Sequence, residues 1–134
     1  MPRRLEGIVL VLALFAGCNP MPALAAVSEQ EAVDVIIGEA ADQGYAGMLA
    51  VAEVIRRRGS LGPFCASRRP GLALFVAKQG KRVRKTALAA WRASQATNTT
   101  FGATHYENVN RFGRPAWSKK MRQVAVVKDH VFYR

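Results

Sequence analysis

Apolar residues change their spacing once along this chain, and that change limits the folds open to it. From Ser28 to Ala96 they recur every three or four positions, the period of a helix with one buried face. From Ala103 onward they tend to alternate, the period of a half-buried strand. A helical front half followed by short strands predicts an α+β domain with a small antiparallel sheet. With 134 residues in all, there is room for one such domain, alone or behind a targeting segment.

The helical half has clear punctuation. Ser28 and Glu31 form a capping box, and Ala32, Val33, Ile36, Ile37 and Ala40 follow at helical spacing, with Gly44 placed to end the helix. A second helix is predicted from Tyr45 to Arg57, with Met48, Leu49, Val51, Ala52 and Ile55 as its apolar stripe and Gly59 as its stop. Residues 59–71 carry Gly59, Gly62, Pro63, Pro70 and Gly71 and read as a loop. Leu72 to Lys78 is predicted as a short helix, Gly80 to Lys85 as a basic link, and Thr86 to Ala96 as a third full helix with Leu88, Ala89 and Trp91 facing the core. In the stranded half, Ala103 to Asn108 is predicted as a strand, residues 109–118 as a loop, and Val124 to Val127 and Val131 to Tyr133 as two strands joined at Lys128-Asp129.

Residues 1–26 read as an export signal. Arg3 and Arg4 precede nine apolar residues, Ile8 to Ala16, too few to span a bilayer. Two processing sites compete: the Ala23-Leu24-Ala25 small-residue pattern, and a lipobox-like run from Leu14 to Cys18 that places a lipid on Cys18. Either way residues 27–134 form the working domain, outside the cytoplasm, in the periplasm, cell envelope or medium. Cys65 then stands alone, which excludes a disulfide framework, and reads as a buried small apolar residue.

The chain holds 20 Lys+Arg against 9 Asp+Glu, a net charge of +11. Without residues 1–25 the balance is 18 against 8, so the charge belongs to the body. Eleven of these cations and no acid lie between Arg56 and Arg92. A stretch of that kind suits nucleic acid, but export removes it from that partner and offers anionic envelope polymers instead.

Scarce acids make the catalytic candidates few. Glu29 and Glu31 belong to a helix start, and Asp34 and Asp42 read as solvated. Glu39 falls at the margin of the Ile36/Ile37/Ala40 stripe, between small neighbours that leave room for an approaching group. A carboxyl half-buried near the negative end of a helix is expected to hold its proton more tightly, as a general acid must. The alternative is a border glutamate bonded to an arginine. Glu107 alternates with His105 on the first strand and is either a second catalytic carboxylate or half of an ion pair. His105 and His130 raise the question of zinc, but no close ligand-spacing motif accompanies them.

Three segments in order carry a resemblance: Val35-Ile36-Ile37-Gly38-Glu39-Ala40, then Gly47 to Ile55, then Gly102-Ala103-Thr104-His105-Tyr106-Glu107-Asn108, with Pro115-Ala116-Trp117 and Asp129-His130-Val131-Phe132-Tyr133 closing the chain. The set resembles the cell wall hydrolase family of the SleB/CwlJ, spore-cortex-lytic type. The resemblance implies a compact α+β domain similar to lytic transglycosylases and lysozyme-like enzymes, acting on the glycan strand of peptidoglycan. It implies Glu39 as the catalytic acid; should water be the attacking group, Glu107 is the carboxylate to activate it. Thr104, His105, Tyr106 and Asn108 are implied as substrate contacts, and Trp117 and Tyr133 have rings suited to stacking on sugars. The sequence as a whole is read as calling for no metal or cofactor, no nucleic acid, no membrane contact beyond a lipid at Cys18, and a monomer. Where the family has Asn-Arg after the second helix, this chain has Arg56-Arg57-Arg58. Two other readings compete: a zinc N-acetylmuramoyl-L-alanine amidase using His105, His130 and a carboxylate, and a non-catalytic binder of envelope polyanions.

Overall fold

The computed structural model describes residues 26–134; the leader, Cys18 and the processing sites lie outside the described residues. Helix α1 runs Glu29–Ala40 and α2 runs Gly44–Arg58. A 3-10 turn follows at Ala66–Arg68, then α3 at Leu72–Ala93. The remainder holds β1 (His105–Glu107), the short α4 (Val109–Phe112), a 3-10 turn at Ala116–Lys120, β2 (Gln123–Val127) and β3 (His130–Tyr133). The strands form one antiparallel sheet in the order β1-β3-β2. The fold is therefore α+β, helices first and a small sheet last.

The Ser28 half of the capping box forms, and the Glu31 carboxylate meets the Ser28 hydroxyl. Ser28 Oγ accepts from the Glu31 backbone N–H at 3.2 Å and donates to the Glu31 carboxylate at 2.6 Å. Gly59 ends α2 in the left-handed region, φ 65°. Helix α2 departs from the predicted single stripe: every residue from Gly47 to Ile55 is buried. It is the central helix, with α1 and α3 against it and the sheet at its flank, and a helix covered on all sides needs no polar face. Its one charged residue in that run, Glu53, is 1% exposed.

Four expectations change, three of them in the helical half. The predicted basic link at 80–85 is helical from Lys81 onward, and the break is Gly80 alone, at φ 80° and ψ 175°. Its Lys and Arg residues are good helix formers on a solvent face, and Arg84 finds Asp34 at 2.8 Å. Asp34 is thus paired rather than simply solvated. Ala89 is exposed while Ala87, Ala90 and Trp91 are buried, because 87, 90 and 91 share one face at i, i+3 and i+4 and 89 lies off it. Part of the predicted 109–118 loop is the one-turn α4, capped by Asn108, whose Oδ1 accepts the Arg111 N–H at 3.0 Å.

Glu53 joins the two halves. Its carboxylate accepts the backbone N–H and hydroxyl of Thr99 at 2.8 and 3.1 Å, and those of Thr100 at 2.9 and 2.7 Å. One turn on, Arg57 donates to the Thr100 hydroxyl, the Ala103 carbonyl and the Asn98 side chain. Burial raises the Glu53 pKa, but the donors of the 97–100 turn together hold it below the ordinary glutamate value. A depressed carboxyl stabilises the fold above its unfolded pKa, about 4.3, and that contribution is lost as pH falls through the folded value. Glu53→Gln leaves threonine donors facing an amide. It should cost about 2–4 kcal/mol at pH 7. The deficit against wild type, measured by denaturant titration, should shrink below about pH 4. A deficit constant down to pH 3 would remove Glu53 from this role.

Candidate active site

A cleft of about 590 Å³ lies between the helices and the sheet. Glu39, in the last turn of α1, forms part of its wall and is half-buried. One carboxylate oxygen accepts the backbone N–H of Ala66 at 2.8 Å, and the other accepts the Tyr106 hydroxyl at 2.9 Å. The first donor comes from the loop after α2 and the second from β1, so both halves of the fold orient this carboxyl. No arginine pairs with Glu39 or Glu107 among the described residues. Each Glu39 oxygen accepts one hydrogen bond from the protein, and a carboxylate oxygen has room for two. Tyr106 keeps its proton to donate, because burial and then the Glu39 charge raise its pKa well above the ordinary tyrosine value.

Gly38 explains how the Ala66 turn gets so close. A Cβ at Gly38 would lie 2.7 Å from the Ala66 Cβ and 2.8 Å from a Leu72 methyl. The small residue beside Glu39 thus admits a piece of the protein's own backbone, where the sequence suggested room for an outside group.

The alternation predicted for β1 is realised. His105 packs on Trp117, ring centroids 5.2 Å apart, and Trp117 packs edge-on against Tyr133 at 5.4 Å. Tyr106 points the other way, among Phe64, His130 and Phe132. Thr104, His105, Tyr106, Glu107, Asn108 and Trp117 all line the cleft. Glu107 accepts the Asn108 N–H at 2.9 Å. Tyr133 does not line the cleft: it is 2% exposed, paired with His105 across the sheet, so its ring belongs to the core.

Both histidines hold a proton less readily than a free imidazole. Burial, and then the charge of Arg58, lower the pKa of His105. Burial lowers that of His130 despite the nearby carboxylates, and its Nδ1 is buried without a partner. Among the described residues no three His, Cys, Asp or Glu side chains converge as a metal site would need. The ligand set of a zinc amidase is therefore not assembled there.

Sequence reasoning missed several cleft residues: Phe64, Arg58, Arg69, Arg111 and Phe112; His130, weighed only as a zinc ligand, also lines the cleft. The Gly/Pro-rich loop carries no periodicity to orient Phe64 or Arg69. Cys65 also departs from expectation, being exposed at the cleft rather than buried, because the tight turn at Ala66 directs it outward.

No family model matches the chain, and no curated protein matches it in sequence. Among solved structures it is similar to the catalytic domain of the Bacillus cereus SleB protein, with a TM-score of 0.55 and 20% identity, over 89% of this chain and 99% of that chain. At that identity the likeness is one of fold, and it agrees with the helices-then-sheet order.

The Gly38 contact makes a direct prediction. Gly38→Ala should push the Ala66 turn off Glu39 and destabilise the protein by about 1–3 kcal/mol, read from its melting transition. Wild-type stability would mean that the close approach is not a constraint.

Proposed function

We propose that this chain is a peptidoglycan-lytic enzyme that cuts the glycan strand, as a lytic transglycosylase or a muramidase, with Glu39 as general acid and base. The carrying observation is the Glu39 carboxyl, half-buried in an open cleft and oriented by Ala66 N–H and the Tyr106 hydroxyl. The fold likeness to a catalytic domain and the ordered resemblance in sequence support the same reading.

Protonated Glu39 donates to the glycosidic oxygen as the bond to the muramyl carbon breaks. The oxocarbenium-like carbon is then captured. In a lytic transglycosylase the muramyl 6-hydroxyl attacks and returns its proton to Glu39, which needs a single carboxylate. In a muramidase water attacks instead, with Glu107 as base. Thr104, His105 and Asn108 supply hydrogen-bonding groups along β1, Tyr106 holds Glu39, and the half-exposed Trp117 offers its face to a sugar. We further infer that residues 1–26 export the chain, as a soluble protein or one tethered by lipid at Cys18, and that the 27–134 domain works as a monomer in the periplasm, envelope or medium.

Glu39→Gln should lower release of fragments from purified sacculi by about a hundredfold or more while leaving the melting temperature near wild type. Tyr106→Phe removes one charge-assisted bond and should slow release about tenfold. Mass spectra of the fragments read the bond: anhydro-muramyl ends mean a transglycosylase, reducing ends a muramidase. Free stem peptides, or undiminished release by the Glu39→Gln protein, would overturn the assignment.

A further inference from the structure

The cleft contains three guanidinium groups that the proposed chemistry does not use. Arg58 ends α2, Arg69 follows the 3-10 turn and Arg111 sits in α4, and all three line the same cavity as Glu39, Asp42 and Glu107. None pairs with a carboxylate among the described residues, where the ion pairs use Arg57, Arg84 and Arg92. Each lies over an aromatic ring instead: Arg58 at 6.0 Å from the Phe64 centroid, Arg69 at 4.5 Å from Phe75, Arg111 at 5.1 Å from Phe112. A ring beneath a guanidinium restrains it and leaves its in-plane N–H donors free. Arg58 commits one donor, to the Thr104 carbonyl at 3.1 Å.

Three acids in a cleft repel an anionic ligand, and three restrained cations offset that repulsion. They also present forked donors whose best partners are carboxylates. Neutral sugars gain far less from them.

We propose that Arg58, Arg69 and Arg111 form a subsite for carboxylate groups carried on the glycan strand, so that the cleft favours strands bearing acidic substituents over neutral ones. This rests on the glycan-cleaving reading above and adds to it the feature of the strand that is read. The carboxylate has two sources on peptidoglycan, the lactyl ether of the muramyl sugar and the attached stem peptide.

The test uses the Glu39→Gln protein, which holds ligand without turnover, titrated calorimetrically with three fragments of equal sugar length. One keeps its stem peptides, one has lost them but keeps the lactyl carboxylate, and one is a neutral chito-oligosaccharide. Charged fragments should bind more tightly, and added salt should narrow the gap. Arg69→Met and Arg111→Met should each lower the charged-to-neutral affinity ratio about tenfold, with Arg→Lys recovering part of it. Arg82→Gln, on the exposed part of α3, should leave the ratio unchanged. A loss confined to the first fragment assigns the subsite to the peptide, and a loss shared by both charged fragments assigns it to the lactyl group. Equal affinity for all three fragments, or a ratio indifferent to the arginine variants, overturns the subsite. If wild-type protein still cleaves sacculi, the glycan reading survives that result. No binding to any fragment, together with no product from sacculi, overturns both.

Discussion

The buried Glu53 carboxylate is the constraint on which the rest of the structure depends. A charge 1% exposed in the central helix is tolerable only if donors surround it. Those donors come from the turn at Thr99 and Thr100, in the stretch between the end of α3 and the start of β1. Satisfying Glu53 therefore fixes where the sheet begins. The chain then turns at Phe101 and Gly102, both at positive φ, and enters β1 with Thr104 N–H bonded to the Tyr133 carbonyl. A cost paid inside the helical half sets the position of the stranded half.

The position of β1 in turn fixes the candidate site. Tyr106 can reach Glu39 only if β1 starts at the right height on α2, and Ala66 can reach it only because Gly38 lacks a side chain. The two donors to this carboxylate arrive from separate packing events. A rigid carboxyl at the edge of a cleft is what acid–base chemistry needs, since a misplaced proton donor loses most of its effect. The site is thus a product of the core, at the seam where the two halves meet.

This division explains what was legible in the sequence. Local signals were readable because they are local: the capping box at Ser28 and Glu31, the Gly59 stop, and the alternation that puts His105 and Tyr106 on opposite faces of β1. Glu39 could be singled out as a candidate because its place on a helical stripe can be counted. The rest needed partners far away in the chain. Glu53 reads as one more polar residue on a stripe until the 99–100 turn is folded against it. Ala89 was misplaced because an alanine-rich helix marks its buried face weakly, and only packing shows that 87, 90 and 91 are the residues covered. Tyr133 looks like a sugar-stacking ring, yet its strand pairs with β1 and β2 on both sides and draws it into the core. Cys65 lies in a loop whose path no periodicity describes.

The charge of the chain is best understood through Arg56, Arg57 and Arg58. Successive residues of a helix point about 100° apart, so three arginines in a row at the end of α2 face three different surroundings. Arg56 lies 3.6 Å over the Trp91 ring and bonds Ser94, locking α3 to α2. Arg57 braces the turn that Glu53 organises. Arg58 enters the cleft. Two of the three cations are consumed by the fold, and they are distinguishable from the third only once their partners are in place. A count of charges thus describes what the protein attracts at long range, where an anionic wall and a nucleic acid look alike. Finer discrimination requires cations gathered at one place, and three that lack a carboxylate partner line the cleft with Glu39.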